Sequence, residues 1–166
     1  MSALGVTNLI QILLILILSY LAYVDARTFR LPDVITLPLL LIGLIFNAMP
    51  SLQLVSLQDS FFGALLGYIS LWLLNRLYRY AKQQNGIGMG DAKLLAALGA
   101  WLGWNSLPSI LLIASISGIL GGLLWLKLNK QKQGAAFPFG PFLIFAGIIE
   151  LLWPHLLQTL LLSNPT

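Results

Sequence analysis

Apolar residues in this chain come in long blocks, and most charges fall in the short gaps between them or near the block ends. A bilayer core is crossed by roughly 17–25 apolar helical residues. The blocks predict six spans, at Val6–Val24, Val34–Met49, Phe61–Tyr78, Ala92–Trp104, Leu107–Leu128 and Phe137–Leu157. Pro32, Pro50, Pro108 and Pro138 stand at or near the ends of these blocks, where a missing backbone donor does least harm. No long linker, low-complexity tract or repeat divides the chain. The expected architecture is an all-α membrane protein of six transmembrane helices, one domain over residues 1–166.

The fourth block is short. From Ala92 to Trp104 is 13 residues, about 20 Å of helix against a hydrocarbon core near 30 Å. Either it turns shallowly into the fifth helix at Asn105–Pro108, or its start is sunk below the membrane surface beside the glycine-rich approach Gly86-Ile87-Gly88-Met89-Gly90. Irregular backbone at that depth is tolerated where it lines a protein cavity. Small-residue pairs at Gly63/Gly67, Gly99/Gly103 and Gly118/Gly122 suit close helix packing.

Composition points the same way. Hydrophobic residues are 58% and charged residues 8% of the 166, where a soluble domain carries about 25% charge. The absence of cysteine removes disulfides, thiol nucleophiles and thiolate metal sites, and a single histidine, His155, removes an imidazole-rich one. Met1–Asn8 holds no lysine or arginine, so the first apolar block is expected to remain in the mature protein. All nine lysines and arginines fall in or beside the first, third and fifth connections. The positive-inside rule makes that side cytoplasmic and leaves both termini periplasmic. The stretch Arg76–Gly90 reads as a polar, glycine-ended loop suited to gating access.

Five acids remain: Asp25, Asp33, Asp59, Asp91 and Glu150. Asp25 closes the first predicted span and Asp91 opens the fourth, which puts two carboxylates at one depth on different helices. Such a pair suits peptide hydrolysis. The ionised member takes a proton from water; the protonated member polarises the scissile carbonyl and later protonates the leaving amine. Like charges a few ångströms apart cannot both ionise cheaply, and this divides the roles. The two carboxyls are expected within about 10 Å of each other at rest. Acids at a membrane edge also serve transporters or simply mark the interface, and Asp91 suits a helix cap. Placement alone leaves these readings open. Lys93, roughly 200° round the helix from Asp91, reads as an interfacial lysine reaching for water. Glu150, with Trp153 and His155, reads as anchoring at the opposite interface.

The strings themselves carry more. Asp25-Ala26-Arg27-Thr28-Phe29-Arg30-Leu31-Pro32-Asp33, followed by Val34-Ile35-Thr36-Leu37-Pro38, resembles the first signature of the type IV prepilin peptidases. Gly86-Ile87-Gly88-Met89-Gly90-Asp91-Ala92-Lys93-Leu94 is similar to their second, the GxGD motif, and Phe137-Pro138-Phe139-Gly140-Pro141-Phe142 to a third string opening the last helix. The three stand in the family's order, from about Tyr20 to Gly147.

That resemblance implies an aspartic endopeptidase of the bacterial inner membrane. It would cut the basic leader of a prepilin or a type II secretion pseudopilin after a glycine, at the cytoplasmic face, with no metal or other cofactor. Asp25 and Asp91 take the catalytic positions. Gly88 and Gly90 shape the approach, Asp33 supports by capping the second helix, and Lys93 is a further supporting residue. The expected partners are the leader-bearing substrate and the lipid bilayer, with no nucleic acid. Many relatives carry an N-terminal extension with paired CxxC motifs tied to N-methylation. A chain without cysteine is expected to be a peptidase only. The alternatives are a preflagellin-type or other GxGD protease and, in a different class, a small proton-coupled transporter using Asp25 and Asp91 as carriers, although related halves of that kind are not evident.

Overall fold

The structure is a computed structural model that describes residues 3–82, 88–129 and 138–154. Among them are six α-helices: α1 (Ala3–Thr28), α2 (Asp33–Asn47), α3 (Leu57–Lys82), α4 (Met89–Leu102), α5 (Leu107–Asn129) and α6 (Gly140–Leu152). A 3-10 turn at Trp104–Ser106 joins α4 to α5, overlapping the Asn105–Pro108 turn that is one of the two expectations for the fourth block. Three stretches are long and apolar enough to cross a membrane: Gly5–Thr28, Leu57–Ala81 and Trp104–Leu123. α2 and α6 are shorter apolar helices. α4 has 14 residues, about 21 Å of rise.

α1 and α3 each bury a narrow stripe and turn the rest of their apolar surface outward, as a helix in lipid does. In α1 the buried residues are Leu14, Leu18, Leu21 and Asp25, at spacings of four, three and four, which places them on one face. That face packs on α6. In α3 the stripe is Ser60, Gly63, Gly67, Leu71 and Asn75. It is almost devoid of side-chain bulk and lets α3 lie close against α4. At the closest approach a Cβ on Gly63 would collide with the backbone of Gly99, and a Cβ on Gly99 with the backbone of Gly63. Without a hydrophobic drive between helices in lipid, such backbone proximity is a principal source of cohesion. α4 is enclosed by α2, α3 and α6, and every residue from Leu94 to Trp101 is buried.

The end of the bundle remote from Asp25 is fastened by polar contacts. The Asn47 amide donates to the carbonyl oxygens of Ala100 (2.8 Å) and Trp101 (3.3 Å), and its own oxygen accepts from the backbone N–H groups of Leu54 (2.8 Å) and Val55 (3.2 Å). Ser60 Oγ also donates to Ala100 O, and Trp101 Nε1 donates to Leu39 O at 2.9 Å. These bonds tie α2, α3 and α4 into one unit. α5, α6 and α1 form the other by packing in series, with Phe139 and Phe142 set over Gly118 and Gly121 of α5.

Two expectations from the sequence are corrected. Arg76–Lys82 is the last part of α3 rather than the start of a loop. Good helix formers fill this stretch, and the Arg76 guanidinium sits 5.8 Å from the centre of the Trp72 ring, one turn earlier. Of the supposed gate, residues 83–87 lie outside the described residues, as does His155. Asp33 does not cap α2 either. Pro32, with φ −71° and ψ 122°, occupies the cap position with no side-chain cap bond, and Asp33 is the first helical residue.

Candidate active site

Asp25 reaches the interior because it continues the leucine series of α1 by one more turn. α1 ends three residues later. The N–H of Phe29 closes the helix onto Asp25 O at 2.8 Å, and Phe29 adopts φ +54°, a left-handed conformation uncommon for a bulky residue. The tight turn that follows, through Leu31 and Pro32, starts α2 directly. Asp91 is the third residue of α4, after Met89 and Gly90, with Gly88 at the cap position. Its carboxylate accepts from the Gly88 N–H, and its own N–H donates to Gly88 O at 3.1 Å. Asp91 therefore does cap its helix, reaching back as the third-position acid of a capping box does. That structural role coexists with its place in the cleft.

The start of α6 brings the two acids together. A Cβ placed on Gly140 would stand 2.5 Å from Asp25 Oδ2 and 3.3 Å from Asp91 Oδ1. The two oxygens are then no farther apart than these distances together, about 6 Å, inside the 10 Å expected of a working pair. The Gly140 N–H donates to the Asp25 carboxylate. Both aspartates are buried and both line a cleft of about 860 Å³.

The cleft opens where the ends of α1 and α3 meet the starts of α2, α4 and α6. Its walls hold Asp25, Asp91, Asp33, Gly88 and Gly90, with Arg30 and Arg79. Gly90 lies against Leu31, whose Cβ would be 3.1 Å from a Cβ at position 90, so the GxGD backbone and the turn after Asp25 are in contact. Lys93 borders the cleft rather than pointing away from it: its Nζ donates to Asp33 Oδ2 at 2.6 Å. The pair joins the first turns of α2 and α4. Asp91 and Lys93 both lie in α4, and the acid that the lysine reaches is Asp33 at the start of the neighbouring α2. Glu150 is buried on α6, away from this cleft.

Asn75 and Gly140 were missed by sequence reasoning. Asn75 is a buried amide at the cleft end of the small-residue stripe of α3. It lines the cleft, and its Nδ2 is 3.9 Å from Met89 Sδ. The signal available was an isolated asparagine inside the third apolar block. Gly140 stood within the third string, but nothing in the string said that it would face both acids.

A helical membrane protein with two carboxylates converging on a cleft at one end of its bundle falls in the class of aspartate-bearing membrane proteins. The chain belongs to the type IV leader peptidase family, whose family model matches residues 12–123. Its similarities include a prepilin leader peptidase/N-methyltransferase of Pectobacterium carotovorum subsp. carotovorum, 44% identical over 85% of this chain and 50% of the relative. Proteins of the same description from Aeromonas hydrophila (43% identical, 96% of this chain, 54% of the relative) and Pseudomonas aeruginosa (45% identical, 80% and 45%) are also similar. The chain spans about half the length of the curated relatives it matches. No solved structure gives a significant match.

Proposed function

We propose that this chain is an aspartic endopeptidase that removes the basic leader of a type IV prepilin or pseudopilin at the cytoplasmic face of the bacterial inner membrane. The observation that carries the reading is the meeting of Asp25 and Asp91, from different helices, within about 6 Å at the floor of an open cleft. A water between them loses a proton to one carboxylate and attacks the scissile carbonyl, which the protonated partner polarises. That partner then delivers its proton to the leaving amine. The rate falls at both acid and alkaline pH, and the two apparent pKa values belong to the pair rather than to either residue.

In this reading the whole chain is one domain, its six helices all cross the bilayer, and both termini are periplasmic. The cations of α1, α3 and α4 lie at the cleft end. Arg27 there stacks 5.4 Å from the Tyr23 ring centre and Arg76 on Trp72, as amphipathic side chains do at a membrane surface. A basic leader is drawn to this face by anionic lipid, at about 1 kcal/mol per basic residue, and not by the protein's own charge of +4. No metal takes part. The relatives' names include an N-methyltransferase activity; the reading for this chain is the peptidase alone.

The test is cleavage of a membrane-embedded prepilin with a basic leader by purified protein, compared with Asp25→Asn and Asp91→Asn. Each variant should fall more than a hundredfold, about 2.7 kcal/mol of barrier, with folding and leader binding retained. A variant that keeps more than about a tenth of the rate would remove that residue from the pair.

A further inference from the structure

The proposed chemistry assigns no work to the third sequence string, yet its glycine faces both acids. Gly140 begins α6, followed by Pro141. Its missing side chain leaves the space that the acids fill: a Cβ there would lie 2.5 Å from Asp25 Oδ2, 3.0 Å from Asp25 Cγ and 3.3 Å from Asp91 Oδ1. No L-residue with a side chain fits without displacing the Asp25 carboxylate, because real Cβ contacts essentially never fall below 3.0 Å. The amide of the same residue donates to that carboxylate.

The position of Gly140 is itself built. Phe139 and Phe142 sit on Gly118 and Gly121 of α5, where a Cβ on Gly121 would meet Phe142 Cζ at 2.5 Å and one on Gly118 would meet Phe139 Cε2 at 3.3 Å. Small residues on α5 thus admit two aromatic rings, the rings set the start of α6, and that start presents one N–H and one vacant Cβ position to the acids. Such an arrangement matches what a functional carboxylate needs, an orientation locked by packing and a fixed hydrogen bond.

We propose that Gly140 is a positioning residue of the acid pair, whose backbone amide and absent side chain together hold the Asp25 carboxylate facing Asp91. The inference rests on the peptidase reading for its consequence, but not for its geometry. The other charged groups lining the cleft are Asp33, Arg30 and Arg79.

Two measurements test it. Gly140→Ala should lower kcat for prepilin cleavage at least tenfold, leave KM within about twofold, and displace a limb of the pH–rate profile. A general packing defect would instead lower thermal stability without moving that profile. Independently of whether the variant folds, the Gly140 amide resonance of the unaltered protein, labelled with nitrogen-15, should shift with pH, and the shift should vanish in Asp25→Asn. An amide resonance that ignores pH, or that titrates equally in Asp25→Asn, overturns the inference; so does a folded Gly140→Ala enzyme with the original kcat and pH profile. These outcomes are distinct from failure of the peptidase reading. That failure would show as active Asp25→Asn and Asp91→Asn enzymes, whatever the Gly140 amide did.

Discussion

The two helix groups that contribute the acids are held together in different ways. α2, α3 and α4, which carry Asp91, are cross-linked by the hydrogen bonds of Asn47, Ser60 and Trp101 and by the backbone contact between Gly63 and Gly99. α1 and α5, which flank α6 and include Asp25, are joined to it through apolar side chains, with Leu14, Leu18 and Leu21 on one side and the Phe139 and Phe142 rings on the other, apart from the Gly140 N–H bond to Asp25 at the cleft. The candidate site lies on the seam between a hydrogen-bonded group and a packed one. Geometry across such a seam depends on the few contacts that cross it, of which the meeting of Gly140 with both acids is the closest to the chemistry.

The comparison is sharpened by breaking each group separately. Asn47→Ala should be the more damaging. It removes the side-chain partner of Trp101 O and of the Leu54 and Val55 N–H groups, while Ala100 O keeps its bond from Ser60 Oγ; the cost is about 3 kcal/mol in total when each group costs about 1–3 and some find water. Because the damage is at the end away from the acids, unfolding in mixed detergent–SDS micelles should register it, while the variant that remains folded cleaves at nearly the original rate. Leu18→Ala should cost about 2 kcal/mol, the cavity contribution alone, since lipid is as apolar as the helix interior. Its mark should be on cleavage as well, because α1 is free to settle against α6 and carry Asp25 with it. Equal losses of activity in the two variants would contradict the division into groups. Least of all should come from Lys93→Met. The Lys93–Asp33 pair is partly exposed at 27% and 54%, so its loss should change stability by less than about 1 kcal/mol. A larger effect would mean that the pair fixes the cleft rather than borders it.

Much of this was legible in the sequence. The apolar blocks located the six helices to within a few residues, because block length and proline placement are local properties. The first two strings located both acids. What escaped depended on contacts between segments distant in the chain. Lys93 reads as an interfacial lysine turned away from Asp91 on an ideal helical angle, and only the approach of α2 shows that Asp33 is its partner. Arg76–Lys82 looked like a loop because its charges resemble those of one, although its residues are good helix formers and it extends an established helix. Asn75 was invisible as a cleft residue until the glycine stripe of α3 set its direction. Gly140 could not be singled out, because a vacant Cβ position acquires meaning only from whatever fills it.

The leucine series of α1 stops one turn short of completion. Packing alone would place a fourth hydrocarbon at position 25, and the helix pair would close over it. A carboxylate stands there instead, on the wall of the cleft and against Gly140 rather than a partner leucine. Stability selected without regard to activity would drift toward Leu at that position, gaining contact with α6 and losing the acid. An ionisable group at the end of a leucine series is a local conflict with packing of the kind that functional sites show.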